Sequence, residues 1–248
     1  LEMTVTGDTL TFDQPAYVAV CGADMGPTLD GEPLAPWSAF PVPAGGTLAF
    51  GFAASGCRAY LAVRGGIDVP VVLGSRSTYT RAAVGGLEGR KLKAGDTLAI
   101  GAADLTDIRP LVLPDEFKPA GNDGGITIRV LPGPQDDYFT AAGLETLFSS
   151  TYTITDEADR MGYRLEGPHI EHAGKADIVS DALPLGAVQV PGHGMPIIMM
   201  ADRQTTGGYA KIGTVIGPDL AILAQAKPGD TVRLRRCSDE EAVAALRR

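Results

Sequence analysis

Apolar residues in the first half of the chain come in short runs that alternate with polar ones and are broken by Gly, Pro and Asp. These runs cover residues 9–12, 16–20, 47–52, 58–63 and 97–100. A period of two puts one set of side chains on a buried face and the other toward solvent, so each run predicts a β-strand and the set predicts a barrel or sandwich. Residues 114–125 concentrate Pro, Gly and charge without a period and read as a linker. Beyond it, residues 126–131 and 151–155 predict strands again, while 135–148 carry an amphipathic helical pattern led by Gly-Pro. The apolar run 196–201 is short for a helix and predicts a buried strand. Near the C-terminus, Ser238-Asp-Glu-Glu241 forms a capping box ahead of an Ala/Val/Leu stretch with a basic end, which predicts a short helix. Residues 91–100 and 225–234 share a Gly-Asp turn followed by alternation, a weak echo of the kind two related halves leave. The expected organisation is a first β domain over 1–113, a linker over 114–125, and a second β domain with the terminal helix over 126–248.

Composition narrows the function. With 30 acidic and 21 basic residues in 248 and a formal charge of −9, the chain lacks the basic block that nucleic-acid binding uses. Neither a bilayer-spanning apolar run nor the pattern of a signal peptide is visible, so no membrane partner is expected. Cys21, Cys57 and Cys237 are odd in number and widely spaced, which fits a reducing cytoplasm and small hydrophobic roles better than a disulfide framework.

The strand at 196–201 empties into a dense polar tract: Asp202, Arg203, Gln204, Thr205 and Thr206, then Gly207, Gly208 and Tyr209. Side chains that donate, accept and carry charge, followed by glycines that let backbone N–H groups approach a ligand, suit a binding site. A β-turn satisfying its own backbone groups explains the same tract. Gly74-Ser-Arg-Ser-Thr78 offers hydroxyls, backbone donors and one guanidinium, a combination for phosphate or carboxylate at Ser75, Arg76, Ser77 and Thr78, or else a plain surface turn. Arg160 beside Arg203 would give two planar forks, with Gln189 and Gln204 as amide complements to a urea-like or lactam group, and Tyr163 as a substrate contact or a core residue. His169-Ile-Glu-His172 with His193 lacks a helix-borne ligand spacing and reads as local bonding, so no metal site is expected. Lys211 reads as a solvated strand lysine, with an activated amine as the alternative. No nucleotide loop and no nucleophile elbow is present.

Four segments together, Asp202-Arg-Gln-Thr-Thr-Gly-Gly-Tyr209, Ser180-Asp-Ala-Leu-Pro-Leu-Gly-Ala-Val-Gln189, Asp159-Arg-Met-Gly-Tyr-Arg-Leu165 and Gly65-Gly-Ile-Asp-Val-Pro-Val-Val-Leu-Gly-Ser-Arg-Ser-Thr78, resemble the allophanate hydrolase subunit 2 family. The resemblance runs in the same order over essentially the whole chain. It implies a mainly β fold of two cyclophilin-like β-barrel domains in tandem. It also implies an ATP-dependent 5-oxoprolinase that opens a lactam with two partners: an allophanate hydrolase subunit 1-like protein, which is the B-type component of 5-oxoprolinase, and the A-type component. ATP and Mg²⁺ are the implied cofactors. Asp202 is then the expected base or metal ligand, and Arg160 and Arg203 stabilise negative charge. Gln189, Gln204, Thr205, Thr206, Gly207, Gly208, Tyr209 and Tyr163 are the expected substrate contacts, and Ser75 to Thr78 the phosphate contacts. Two alternatives stay open: a carboxyltransferase half-site for urea or a related amide with biotin on a partner, and a non-enzymatic Kip-type regulatory binding protein. Family members usually carry an additional N-terminal segment, so the first barrel is expected to be short of its first strands and to expose an unpaired edge.

Overall fold

The computed structural model describes residues 1–118 and 125–247; residues 119–124, half of the expected linker, lie outside the described residues. The chain divides into two compact units, Leu1–Ala54 with Arg58–Lys118, and Ser55–Cys57 with the part that follows Lys118.

In the N-terminal part the strands are β1 (Glu2–Thr4), β2 (Thr9–Thr11), β3 (Ala16–Asp24), β4 (Thr28–Leu29), β5 (Glu32–Pro33), β6 (Ser38–Val42), β7 (Thr47–Ala49), β8 (Ser55–Val63) and β9 (Leu111–Val112). They form a five-stranded sheet in the order β1-β8-β3-β6-β9 and a four-stranded sheet in the order β2-β7-β4-β5. Alternation decides the faces: Val18 and Val20 of β3, Phe40 and Val42 of β6, Leu48 of β7 and Leu61 of β8 meet in one core. Two closed barrels were expected; in this unit the described strands leave both sheets open. Residues 97–100 alternate but have no neighbouring strand, and only Ile100 makes an isolated bridge, to Ile67. Without its strand the 91–100 echo cannot close a barrel.

The second unit does close. Its strands are β10 (Gly125–Pro132), β11 (Thr151–Ile154), β12 (Gly162–Glu166), β13 (Asp177–Ala182), β14 (Ala187–Gln189), β15 (Ile197–Met199), β16 (Thr206–Tyr209), β17 (Lys211–Val215) and β18 (Thr231–Arg236). Seven of them make a barrel in the order β10-β17-β14-β15-β12-β11-β18, sealed by parallel pairing of β10 with β18. Ile128, Val130, Ile154, Leu165, Val188, Ile198, Ile212, Val232 and Leu234 fill it. The remaining two, β13 and β16, form a separate two-stranded ribbon.

Three helices complete this unit: α1 (Ala141–Ser149), α2 (Gly217–Ala224) and α3 (Asp239–Leu246). The helical pattern at 135–148 materialises only from Ala141. Thr140 is the N-cap, its hydroxyl accepting from Gly143 N–H at 3.0 Å, and a 3₁₀ turn at Asp136–Tyr138 occupies the earlier part. Asp219 in the first turn of α2 accepts from Arg129 N–H at 2.6 Å and from its guanidinium at 2.5 and 3.0 Å, pinning the helix to β10. The capping box of α3 is half formed. Ser238 Oγ accepts from Glu241 N–H at 3.2 Å, but the Glu241 carboxylate turns to Arg235 instead of back to the cap.

One irregularity sets up the site. Along β17 Val215 faces the core, and the register against β14 runs Ala187↔Thr214, Val188↔Gly213, then Gln189↔Lys211, skipping Ile212. This bulge puts Gly213 and Ile212 both inward and turns Lys211 to the outer wall, beside Gln189.

Candidate functional site

The polar tract begins where β15 ends. Asp202 and Arg160 pair there, Arg160 Nε and Nη2 donating to the two carboxylate oxygens at 3.0 and 3.2 Å. Arg203 Nε donates to the Leu183 carbonyl at 2.9 Å, and Leu183 N–H donates to Thr205 O at 2.9 Å, so these residues hold the start of β16 against the end of β13. The two guanidinium forks expected to grip a ligand are thus engaged inside the protein, one on a carboxylate and one on the backbone. Gln204, Thr205 and Thr206 are exposed in the turn and first residue of β16.

Tyr163 is displaced furthest from expectation. It is 2% exposed in the barrel core, with its hydroxyl donating to Ala226 O at 3.0 Å. It packs with the residues that fill the barrel, on the inner side of the wall. Alternation along β12 puts Tyr163 and Leu165 inward and Arg164 out, the core alternative for this residue. Tyr152, also in the core, has its phenol pushed up to about 12 by burial, so it stays neutral at physiological pH and supplies no base.

The expected phosphate loop is a tight exposed turn in the first unit. Ser75 N–H donates to Val72 O at 3.0 Å, Ser77 N–H to Ser75 Oγ at 3.1 Å, and Arg76 to Asp68 at 2.8 Å and Ile67 O at 3.1 Å. Its cationic and two of its backbone donors are already used, and Asp68 cancels the charge that would draw an anion. These residues do not fit a triphosphate. Among the described residues no three His, Cys, Asp or Glu side chains gather as metal ligands. His172 Nε2 contacts Val190 O at 3.0 Å and packs on Phe139, and His193 Nδ1 accepts from Met195 N–H at 3.2 Å. A groove along Leu131, Pro132, Arg236 and the start of α3 is lined by none of the expected site residues.

The second polar knot lies at the other end of β16, and the sequence reading missed its centre. Lys211 is 2% exposed, a buried cation rather than a solvated one. Its Nζ donates at 2.7 Å to Asp181 of β13, whose side chain is half exposed. Gln135 joins them: its Oε1 accepts from Lys211 N–H at 3.1 Å and its side chain also bonds to Asp181. The Lys211 ammonium, above all, and then the Ala182 N–H hold the Asp181 carboxyl below its ordinary value of 3.8. Gln189, 2% exposed, donates through Nε2 to Tyr209 O at 3.1 Å. Glycine at 207 lets β16 lie on this amide, since a Cβ there would come within 2.7 Å of Gln189 Nε2. Of the residues read from the sequence, Gln189, Gly207, Gly208 and Tyr209 therefore gather here, while Asp202, Arg203 and Arg160 gather at the opposite end of the strand. Lys211 had a legible signal, being the one charged residue in the run from Ala210 to Ile216.

A mainly β fold with one closed barrel, and a knot of buried amide and ammonium groups beneath a β ribbon, are the features that the comparisons place in a family. The chain belongs to the carboxyltransferase domain family, subdomains A and B, which matches residues 1–236. It is 38% identical over 245 residues to the C-type 5-oxoprolinase subunit of Escherichia coli K12, covering 99% of this chain and 77% of that protein. The C-type 5-oxoprolinase subunit of Haemophilus influenzae is likewise 38% identical, over 252 residues, with 78% of its length covered. Among solved structures, the K. lactis urea amidolyase superposes with a TM-score of 0.90 at 31% identity over 98% of this chain, which spans only 16% of that much longer polypeptide. No described helix is long and apolar enough to cross a membrane.

Proposed function

We propose that this chain is the C-type component of an ATP-dependent 5-oxoprolinase, adding water across the lactam C–N bond of 5-oxo-L-proline to give L-glutamate. The reading is carried by one observation: identity of 38% to a protein of that name across 99% of this chain. The site agrees with it. Lactam opening moves negative charge onto the carbonyl oxygen, and Lys211, whose Nζ has N–H groups beyond the one it gives to Asp181, can donate a hydrogen bond to that oxygen. In the overall reaction water's oxygen ends on the new carboxylate and the ring nitrogen leaves as the amine. The Asp202–Arg160 pair and Arg203 hold the ribbon rather than react. Since Ser75 to Thr78 do not fit a triphosphate, ATP and Mg²⁺ belong on another polypeptide in this proposal, with the A-type and B-type components as the partners. The test is to reconstitute the chain with those components and follow glutamate release from 5-oxoproline. Release that needs ATP and all three polypeptides is expected; release unchanged when this chain is omitted overturns the proposal.

The family description and the likeness to the urea amidolyase favour one second reading, carboxyl transfer from a partner-borne carboxybiotin to urea or a related amide. Biotin-dependent carboxylation of urea by the same assembly, without glutamate release, would select it.

A further inference from the structure

Gln189 and Lys211 are directly paired in register across β14 and β17, so their side chains leave the same face of the barrel wall with Cβ atoms about 5 Å apart. Both are almost completely buried, yet each keeps hydrogen-bonding capacity. The Tyr209 carbonyl can only accept, so Gln189 turns Nε2 to it and leaves Oε1 as the other end, and no described donor pairs with that oxygen. Lys211 Nζ has three N–H groups and donates to a single described carboxylate, Asp181. The wall therefore presents one acceptor beside one cationic donor.

We propose that Gln189 and Lys211 form a two-point reader for an amide whose N–H and C=O lie on the same edge, the N–H donating to Gln189 Oε1 and the C=O accepting from Lys211 Nζ. Lactams, urea and cyclic ureides carry that cis edge; an open-chain secondary amide is trans and points the two groups in opposite directions. Presenting the cis form costs such an amide about two orders of magnitude in population. The ribbon roofs the pair. Of β13 only Ile178 is partly buried against the barrel core; Arg203 ties one end of the ribbon and Asp181 and Tyr209 tie it over the pair, so entry is at the half-exposed Asp181 edge. This inference deepens the 5-oxoprolinase reading by assigning the residues that select its substrate class.

The test compares binding of 2-pyrrolidone and 5-oxoproline with that of N-methylacetamide, a trans amide of similar composition, to the full chain by ligand-observed NMR and calorimetry. The unaltered protein is expected to prefer the cis amides by at least about 30-fold, somewhat below the full penalty for the trans form. Gln189→Met and Lys211→Met are each expected to reduce that preference to about threefold or less while the far-ultraviolet circular dichroism is unchanged. Equal binding of cis and trans amides, or binding of neither, by the unaltered chain overturns the proposal without recourse to any variant. So does retention of the preference in a folded Gln189→Met protein. A cis preference in a chain whose assembly never turns over 5-oxoproline would leave the reader standing and remove the 5-oxoprolinase reading. Turnover without the preference would do the reverse.

Discussion

Lys211 and Asp181 are partners of unequal burial, and the two ends of the pair should respond differently to truncation. Replacing Lys211 by Met leaves a carboxylate that is already half exposed and readily solvated; replacing Asp181 by Ala strands a buried ammonium. We expect Asp181→Ala to lower the melting temperature more than Lys211→Met, measured side by side at pH 7; the opposite order would mean that the ammonium is not buried in solution. The pair also fixes a pH dependence. Because the folded Asp181 carboxyl is held below 3.8, its contribution is complete above that ordinary value and fades as pH falls below it through the lowered folded value. The difference in melting temperature between the unaltered protein and Asp181→Asn should be constant from pH 7 down to about 5, where an ordinary carboxylate is still ionised, and shrink steadily in more acidic buffer. A difference that grows on acidification would contradict the sign. That Lys211 sits here could not be read from residue type alone. A lysine in a strand is ordinarily solvated, and the bulge that turns this one under the ribbon appears only in the pairing of β17 with β14.

Elements were legible where local chemistry decides them. The alternation at residues 16–20, 58–63 and 126–131 became β3, β8 and β10, and Ser238 does start α3, because capping and period-two burial need only nearby residues. Residues 97–100 alternate equally well but lack a partner, and strand pairing is a long-range property that a single run does not carry. The capping box shows the same division. Ser238 Oγ caps the Glu241 N–H, whereas the Glu241 carboxylate goes to Arg235, six residues earlier near the end of β18, a competitor that the residue pattern of the box does not include. Ser238→Ala should therefore cost about 1 kcal/mol, the usual worth of an N-cap. Glu241→Gln should cost less, since it leaves the cap intact and removes only an exposed ion pair. Urea denaturation of both variants checks this, and a larger loss for Glu241→Gln would show that the Arg235 pair, not the cap, secures the helix.

At the scale of the whole molecule, one unit is a closed barrel and the other a pair of open sheets, and closure is what makes their backbones differ. Every strand of the barrel is paired on both sides, so an amide in β10 opens only when the cylinder itself is breached. In the open sheets β9 and β5 are edges, short and exposed, and their hydrogen bonds break by fraying of two residues. Of the two cyclophilin-like barrels that the family resemblance implied, the described strands close one, and the reason lies in what alternation can tell: it predicts strands, but whether a sheet's last strand meets its first depends on register and twist summed around it. Native-state hydrogen exchange reads that distinction directly. Amides of Ile128 and Val130, whose side chains are fully buried in the barrel core, should exchange slower than those of Leu111 and Val112 by a factor on the order of 10³, reflecting opening close to the global unfolding free energy against local fraying. Protection of Leu111 and Val112 equal to that of β10 would mean that in solution the edge at β9 is covered.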